Sequence, residues 1–250
     1  MTFEIHEILL IATAILLSSI VQGAVGFAVA LIAIPLFLQA GLDLAQSIFV
    51  VLICGIVQNA LGLRQTWHDT PIRKLTPWAI FRAALVPIGF LLMRFIENCS
   101  KSELRQMFGI ILLGVIICQL ALRIRPSKSV ASYWTGLAMG TSGIAQGMIG
   151  TPGPPIAFWV MAHDWESKTS RGVMFFLFVT GSIPHLIIFL FVYELHVILS
   201  SSLIGVCGIP LSFVGAHIGL WIGNRFDRKR IRQAILATLL VLSFSLIVFK

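Results

Sequence analysis

Charge is what this sequence has least of. Only 11% of its 250 residues are Asp, Glu, Lys or Arg, against about 25% in ordinary soluble domains, so a water-facing surface for a chain of this length is missing. Cysteine is scarce as well. Cys54, Cys99, Cys118 and Cys207 show no Cys-x-x-Cys spacing and three of them fall in apolar runs, which argues against a disulfide framework and against thiolate metal or redox chemistry. No metal and no cofactor are expected. Lys and Arg are also missing from the first ten residues, MTFEIHEILL, where Glu4 and Glu7 stand instead. The stretch therefore reads as the start of an uncleaved first span rather than a secretory signal.

What is present is apolar: 58% of the residues are hydrophobic, gathered into runs near the roughly 20 residues that a spanning helix needs. The expected fold is an all-α polytopic membrane protein in a single transmembrane domain over residues 1–250. Its apolar segments lie at 5–40, 44–63, 77–96, 104–122, 130–162, 172–193, 197–223 and 231–249. The net charge of +8 needs no nucleic acid, because Lys and Arg in cytoplasmic loops give membrane proteins a basic balance. The partners expected are the lipid bilayer of the inner (plasma) membrane and a small anion, with a homodimer admitted as the assembly.

The first and fifth segments are too long for one crossing, and both carry the same interruption. Ser18 to Gly26 (SSIVQGAVG) aligns at an offset of 124 with Ser142 to Gly150 (SGIAQGMIG), the shared core being Gln-Gly-x-x-Gly. A second match, Ser102 to Gln106 (SELRQ) with Lys229 to Gln233 (KRIRQ) at an offset of 127, follows in the same order. Two halves, 1–125 and 126–250, are expected, each with about four hydrophobic segments and each with its first segment broken or re-entrant at the motif. The glycines and prolines from Gly140 to Pro155 cannot all continue one helix, and broken backbone at membrane depth survives only where protein or a wet cavity covers it.

Charge selects between topologies. If every segment crosses once, Lys and Arg divide almost evenly; if each interrupted segment enters and returns, one side holds 13 (Arg64, Arg73, Lys74, Arg123, Arg125, Lys128, Lys168, Arg171, Arg225, Arg228, Lys229, Arg230, Arg232) and the other 4 (Arg94, Lys101, Arg105, Lys250). The second arrangement obeys the positive-inside rule. It makes the halves inverted repeats, the architecture of many secondary transporters.

Candidate site residues follow from that geometry. Gln22 and Gln146 place an amide at each break. Duplication is expected to bring both to one midplane site between the two broken helices, where they donate to one substrate oxyanion group; the alternative is that each caps its own loose backbone. Gly23, Gly26, Gly147 and Gly150 let backbone approach a ligand, and half-helix N-termini beginning near Gly26 and Gly150–Thr151 suit an anion. Arg82 is the one charge well inside a span, a substrate counter-ion by default unless it snorkels to the surface. Asn59 and His185, paired at an offset of 126, are polar in spans and suit either ligand contact or interhelical bonding. A catalytic alternative exists, because Gly140-Thr141-Ser142-Gly143 is similar to the nucleophile motif of rhomboid-type intramembrane proteases, with His185 or His217 as base.

The motifs QGAVGFAVALIAIP and QGMIGTPGPPIAF, one in each of two halves of about four hydrophobic segments, resemble those of the TauE/SafE-type sulfite exporters, a resemblance that covers nearly the whole chain. That resemblance implies a bacterial transporter of sulfite and organosulfonate-like anions, not an enzyme. Efflux of a monoanion from a cell negative inside is favoured by about 2.3 kcal/mol per 100 mV.

Overall fold

A computed structural model describes residues 4–25, 29–121, 127, 130–150 and 153–225, with single positions 237, 240, 243, 244 and 246 beyond them. The apolar runs become helices because, in lipid, only an element that satisfies its own backbone can span. In chain order they are α1 (Ile5–Val25), α2 (Val29–Gln39), α3 (Leu44–Thr66), α4 (Ile72–Ile96), α5 (Lys101–Ala121), α6 (Ser132–Ile149), α7 (Gly153–Met161), α8 (Ser167–Val192) and α9 (Leu195–Arg225). A single 3-10 turn, Trp67–Asp69, follows α3. Five stretches among the described residues are long and apolar enough to cross a membrane: within α1, α4, α8 and α9, and α3 with its following turn. The expected last segment, 231–249, lies almost wholly outside the described residues.

The two over-long segments are each split into a longer and a shorter helix, α1 with α2 and α6 with α7. The second split is narrower than the glycine count suggests. Gly140, Gly143 and Gly147 stay inside α6, and the chain turns only at Gly150, whose φ of 73° and N–H bond to the Gln146 carbonyl at 2.9 Å close the helix in the left-handed conformation. α7 then opens on Gly153 and two prolines, Pro154 and Pro155, which tolerate a first turn because its N–H groups have no helical partner. Gly26 and Thr151 fall outside the described residues.

The loops gather on two faces. On one, the Glu7 carboxylate lies beside Gly41, Lys101 donates to the Gly41 carbonyl at 2.6 Å and pairs with Asp43 at 3.4 Å, and Tyr193 donates to Glu97 at 2.9 Å. The opposite face joins Thr66 and Thr70 to Gly172 and joins Ser127 to the end of α7, through Ser127 N–H to the Ala162 carbonyl at 2.9 Å and Asp164 N–H to the Ser127 carbonyl at 3.1 Å. The start of α1 therefore meets the end of α2, and the chain entering α6 meets the chain leaving α7.

Packing crosses the chain midpoint. α1 lies along α9 and α4 along α6, while α3 packs on α8 at the centre and also on α9. The closest contacts are made by glycines: a Cβ on Gly147 would stand 2.0 Å from the Val86 carbonyl oxygen, and one on Gly23 would stand 2.5 Å from that of Ala216. Large apolar side chains such as Phe95, Phe191, Leu199 and Leu203 are left exposed on the outside, as a lipid-facing surface requires.

Candidate functional site

α4 begins at Ile72, five residues before Pro77, which sets Arg82 nearly three turns into the helix rather than close to its entry. Its side chain is fully buried and turns between α6 and α8. Nε donates to Ser142 Oγ at 3.1 Å, one terminal nitrogen donates to Gln146 Oε1 at 2.9 Å, and the other donates to the Leu177 carbonyl. The guanidinium lies against Gly181, where any Cβ would collide with it. Arg82 faces the interior and does not snorkel.

All three acceptors are neutral. Among the described residues no carboxylate pairs with Arg82, and no Asp or Glu occurs in α3, α4, α6, α7 or α8. Taking a cation out of water costs several kcal/mol unless a counter-charge offsets it. A guanidinium carries five N–H donors, of which these contacts use three. Charge and donors are thus both left over at one point in the helix core.

Gln146, fully buried, divides its amide: the oxygen accepts from Arg82, while Nε2 donates to the Gly150 carbonyl at 2.9 Å, closing its own helix end. His185 stands one turn beyond Gly181 on α8, fully buried, its ring 5.9 Å edge-on from Phe90. Neither ring nitrogen makes a hydrogen bond of ordinary geometry, and the Gln146 backbone carbonyl stands close enough to the ring to accept weakly from it. Arg82, Gln146, Gly150, Ser142 and His185 therefore form one cluster, with Gly147 holding α6 against α4 behind it.

Gln22 and Asn59 form another. Gln22 Nε2 donates to Asn59 Oδ1 at 2.9 Å, and both are buried. The structure gives Gln22 and Gln146 separate partners and no shared contact. Beside Gln22 a cavity of about 40 Å³ is bordered by Gln58, Gln65 and His217, and Ser212 donates to Gln58 at 3.3 Å. Gln58, Gln65 and Ser212 were not legible as site residues; the one signal was the seven-residue spacing of the two glutamines, which sets them on one face of α3.

The hydrolase arrangement is absent among the described residues. Ser142 Oγ donates to the Met139 carbonyl at 3.0 Å and accepts from Arg82, His185 touches no hydroxyl, and His217 bonds its own helix at the Phe213 carbonyl. A serine nucleophile needs a base within hydrogen-bond reach. Ser142→Ala removes one acceptor from Nε and leaves the other two contacts of Arg82 intact, so anion flux in liposomes is expected to stay within about tenfold of wild type. A hydrolysis lost in this variant, together with no anion flux in the wild type, would point back to a nucleophile.

Long apolar helices and a buried cation without a counter-charge among the described residues define a polytopic helical membrane protein. The chain matches the model of the family described as Sulfite exporter TauE/SafE over residues 10–246, nearly its whole length, and it belongs to that family, whose members are membrane transporters of anions rather than enzymes. No curated protein and no solved structure matches it.

Proposed function

We propose that the protein is a secondary transporter that moves a small anion of the sulfite and organosulfonate class outward across the bacterial cytoplasmic membrane. The carrying observation is Arg82, fully buried, with three neutral acceptors and no carboxylate partner among the described residues. An anion supplies the missing counter-charge, and the N–H groups left on the guanidinium suit its oxygens. Gln146 and His185 complete this site, while Gln22 and Asn59 form a neutral counterpart along the same path, entered beside Gln58 and Gln65.

Inverted repeats give the path two gates. Exchanging the halves, α1 with α6, α2 with α7, α3 with α8 and α4 with α9, turns the α1–α9 packing into α6–α4, the α3–α9 packing into α8–α4, and α1–α2 into α6–α7, all pairings that occur. The glycine contacts follow, Gly23 against Gly219 answering Gly147 against Gly89. The meeting of chain ends at Glu7 and Gly41, and at Ser127 and Ala162, supports broken segments that enter and return.

In this reading the face that carries Thr70, Ser127 and Asp164 is cytoplasmic, because the positive-inside partition of 13 to 4 falls that way. With the four native cysteines replaced by alanine, Lys101→Cys is expected to react with an impermeant maleimide in intact cells, and Ser127→Cys and Glu166→Cys only after lysis. Labelling of 127 or 166 from outside sinks the arrangement. Function itself is tested by tracer flux of sulfite, methanesulfonate and acetate in liposomes; absence of flux for every anion refutes the proposal.

A further inference from the structure

The buried cluster carries one positive charge, from Arg82, and no negative one. An ion that brings a single negative charge leaves the core neutral, whereas a dianion leaves one uncompensated charge in a low-dielectric interior, which costs several kcal/mol. The other polar group here is His185, whose two ring nitrogens are buried without a side-chain partner and with only the Gln146 backbone carbonyl as a weak neighbour. A neutral imidazole offers one donor and one acceptor. Beside a guanidinium, which only donates, the acceptor nitrogen is the feature that matters, because a fully ionised oxyanion has nothing to give it.

The reason His185 lacks a side-chain partner lies in the comparison of the two half-sites. Its counterpart Asn59 accepts from Gln22, the counterpart of Gln146. Gln146 is instead held by Arg82 through its oxygen and by the Gly150 carbonyl through its nitrogen. In the register set by the glycine contacts, Val86 answering Ala216 and Gly89 answering Gly219, the residue answering Arg82 is Ser212, which bonds Gln58. The charged half of the molecule thus captures its glutamine and leaves an imidazole without a side-chain partner one helical turn along α8 from Gly181, which the guanidinium abuts.

We infer that Arg82 and His185 together select a singly charged oxyanion that still bears a proton, hydrogensulfite rather than sulfite. The charged oxygens take the remaining guanidinium N–H groups, and the substrate's own O–H donates to a ring nitrogen of His185. No proton changes owner. The inference rests on the anion-transport reading and adds the protonation state of the ion.

Other titrating groups are few near His185. Among the helices packed around α8, α3 brings Cys54 and Arg64, α4 brings Arg82 in its interior and its other cations at its ends, α6 brings Tyr133 in its first turn, and α7 brings none. The turn after α3 adds His68 and Asp69 at the membrane face, where α8 itself carries Lys168 and Arg171.

The test measures binding of sulfite and of methanesulfonate, a permanent monoanion, to the purified full-length protein from pH 6 to about 8.5, a range that spans the second ionisation of sulfite. Affinity for total sulfite is expected to fall about tenfold per pH unit above that ionisation, with methanesulfonate flat. His185→Leu is expected to weaken hydrogensulfite about tenfold more than methanesulfonate, and His185→Asn, which keeps an acceptor as Asn59 does, to recover part of the loss. A sulfite affinity that holds or rises through the ionisation overturns the inference while leaving anion transport standing. Equal falls for both ions overturn it too, since the titrating group then belongs to the protein. Binding of neither ion removes the transport reading itself.

Discussion

Arg82→Met is expected to lower anion affinity by about a hundredfold to ten-thousandfold while the protein still folds and inserts. Charge-assisted hydrogen bonds contribute about 1.5–3 kcal/mol each, and the two guanidinium N–H groups not used by Ser142, Gln146 and Leu177 give about 3–6 kcal/mol together. The fold has less to lose. A cation buried without a counter-charge is a desolvation cost of several kcal/mol, which outweighs the roughly 1–3 kcal/mol lost when Met leaves the buried Gln146 Oε1 without its donor. Melting temperature is therefore expected to hold or rise as affinity collapses. Arg82→Lys keeps the charge but cannot span three acceptors on two helices with a planar fork, so it falls between. Thermal unfolding and tracer binding on the same purified samples decide the matter: a lower melting temperature with affinity preserved in the folded fraction assigns Arg82 to structure alone.

Much of this centre could be read in the chain, because a lone charge in an apolar run stands out against hydrocarbon. That Arg82 occupies a span followed from composition; which groups it meets did not, since Ser142, Gln146 and Leu177 lie 60, 64 and 95 residues away and only helix crossing brings them near. Pro77 read as a helix start, yet α4 continues through it from Ile72, as α8 does through Pro184 and α9 through Pro210. In a membrane, neighbouring helices re-satisfy the carbonyl that proline frees. The glycines misled in the opposite way. Gly140, Gly143 and Gly147 look like breakers, but a missing side chain serves a close helix contact as well as it serves a bend, and sequence does not distinguish the two uses. Pairing of Asn59 with His185 by offset was legible; the structure gives each its own surroundings, because Arg82 on α4 is answered on α9 by the uncharged Ser212.

Gly147→Ala is expected to cause the largest loss of stability among single-methyl additions to the helix core. The added Cβ would lie 2.0 Å from the Val86 carbonyl oxygen, 2.7 Å from the Phe90 nitrogen and 2.9 Å from the Gly89 Cα. All three are backbone atoms of α4, so no rotamer change relieves the contact and the two helices must separate. Ordinary overpacking costs about 1–3 kcal/mol, and a clash against backbone on this scale goes beyond it; the folded fraction after detergent extraction is expected to drop sharply. Two controls bracket the effect. At Gly55 the nearest atom to a new Cβ is Asn59 Nδ2 at 3.8 Å, ordinary contact, so Gly55→Ala leaves melting temperature close to wild type. Gly181→Ala meets the Arg82 guanidinium at 2.1 Å, but that is the far end of a flexible side chain: the protein folds, Arg82 is pushed off the Leu177 carbonyl, and anion affinity falls. Size-exclusion profiles and thermal unfolding of the three variants, with methanesulfonate binding on those that fold, separate helix contact from ligand contact. A Gly147→Ala protein that melts like wild type would show that α4 and α6 do not pack at this distance in the membrane.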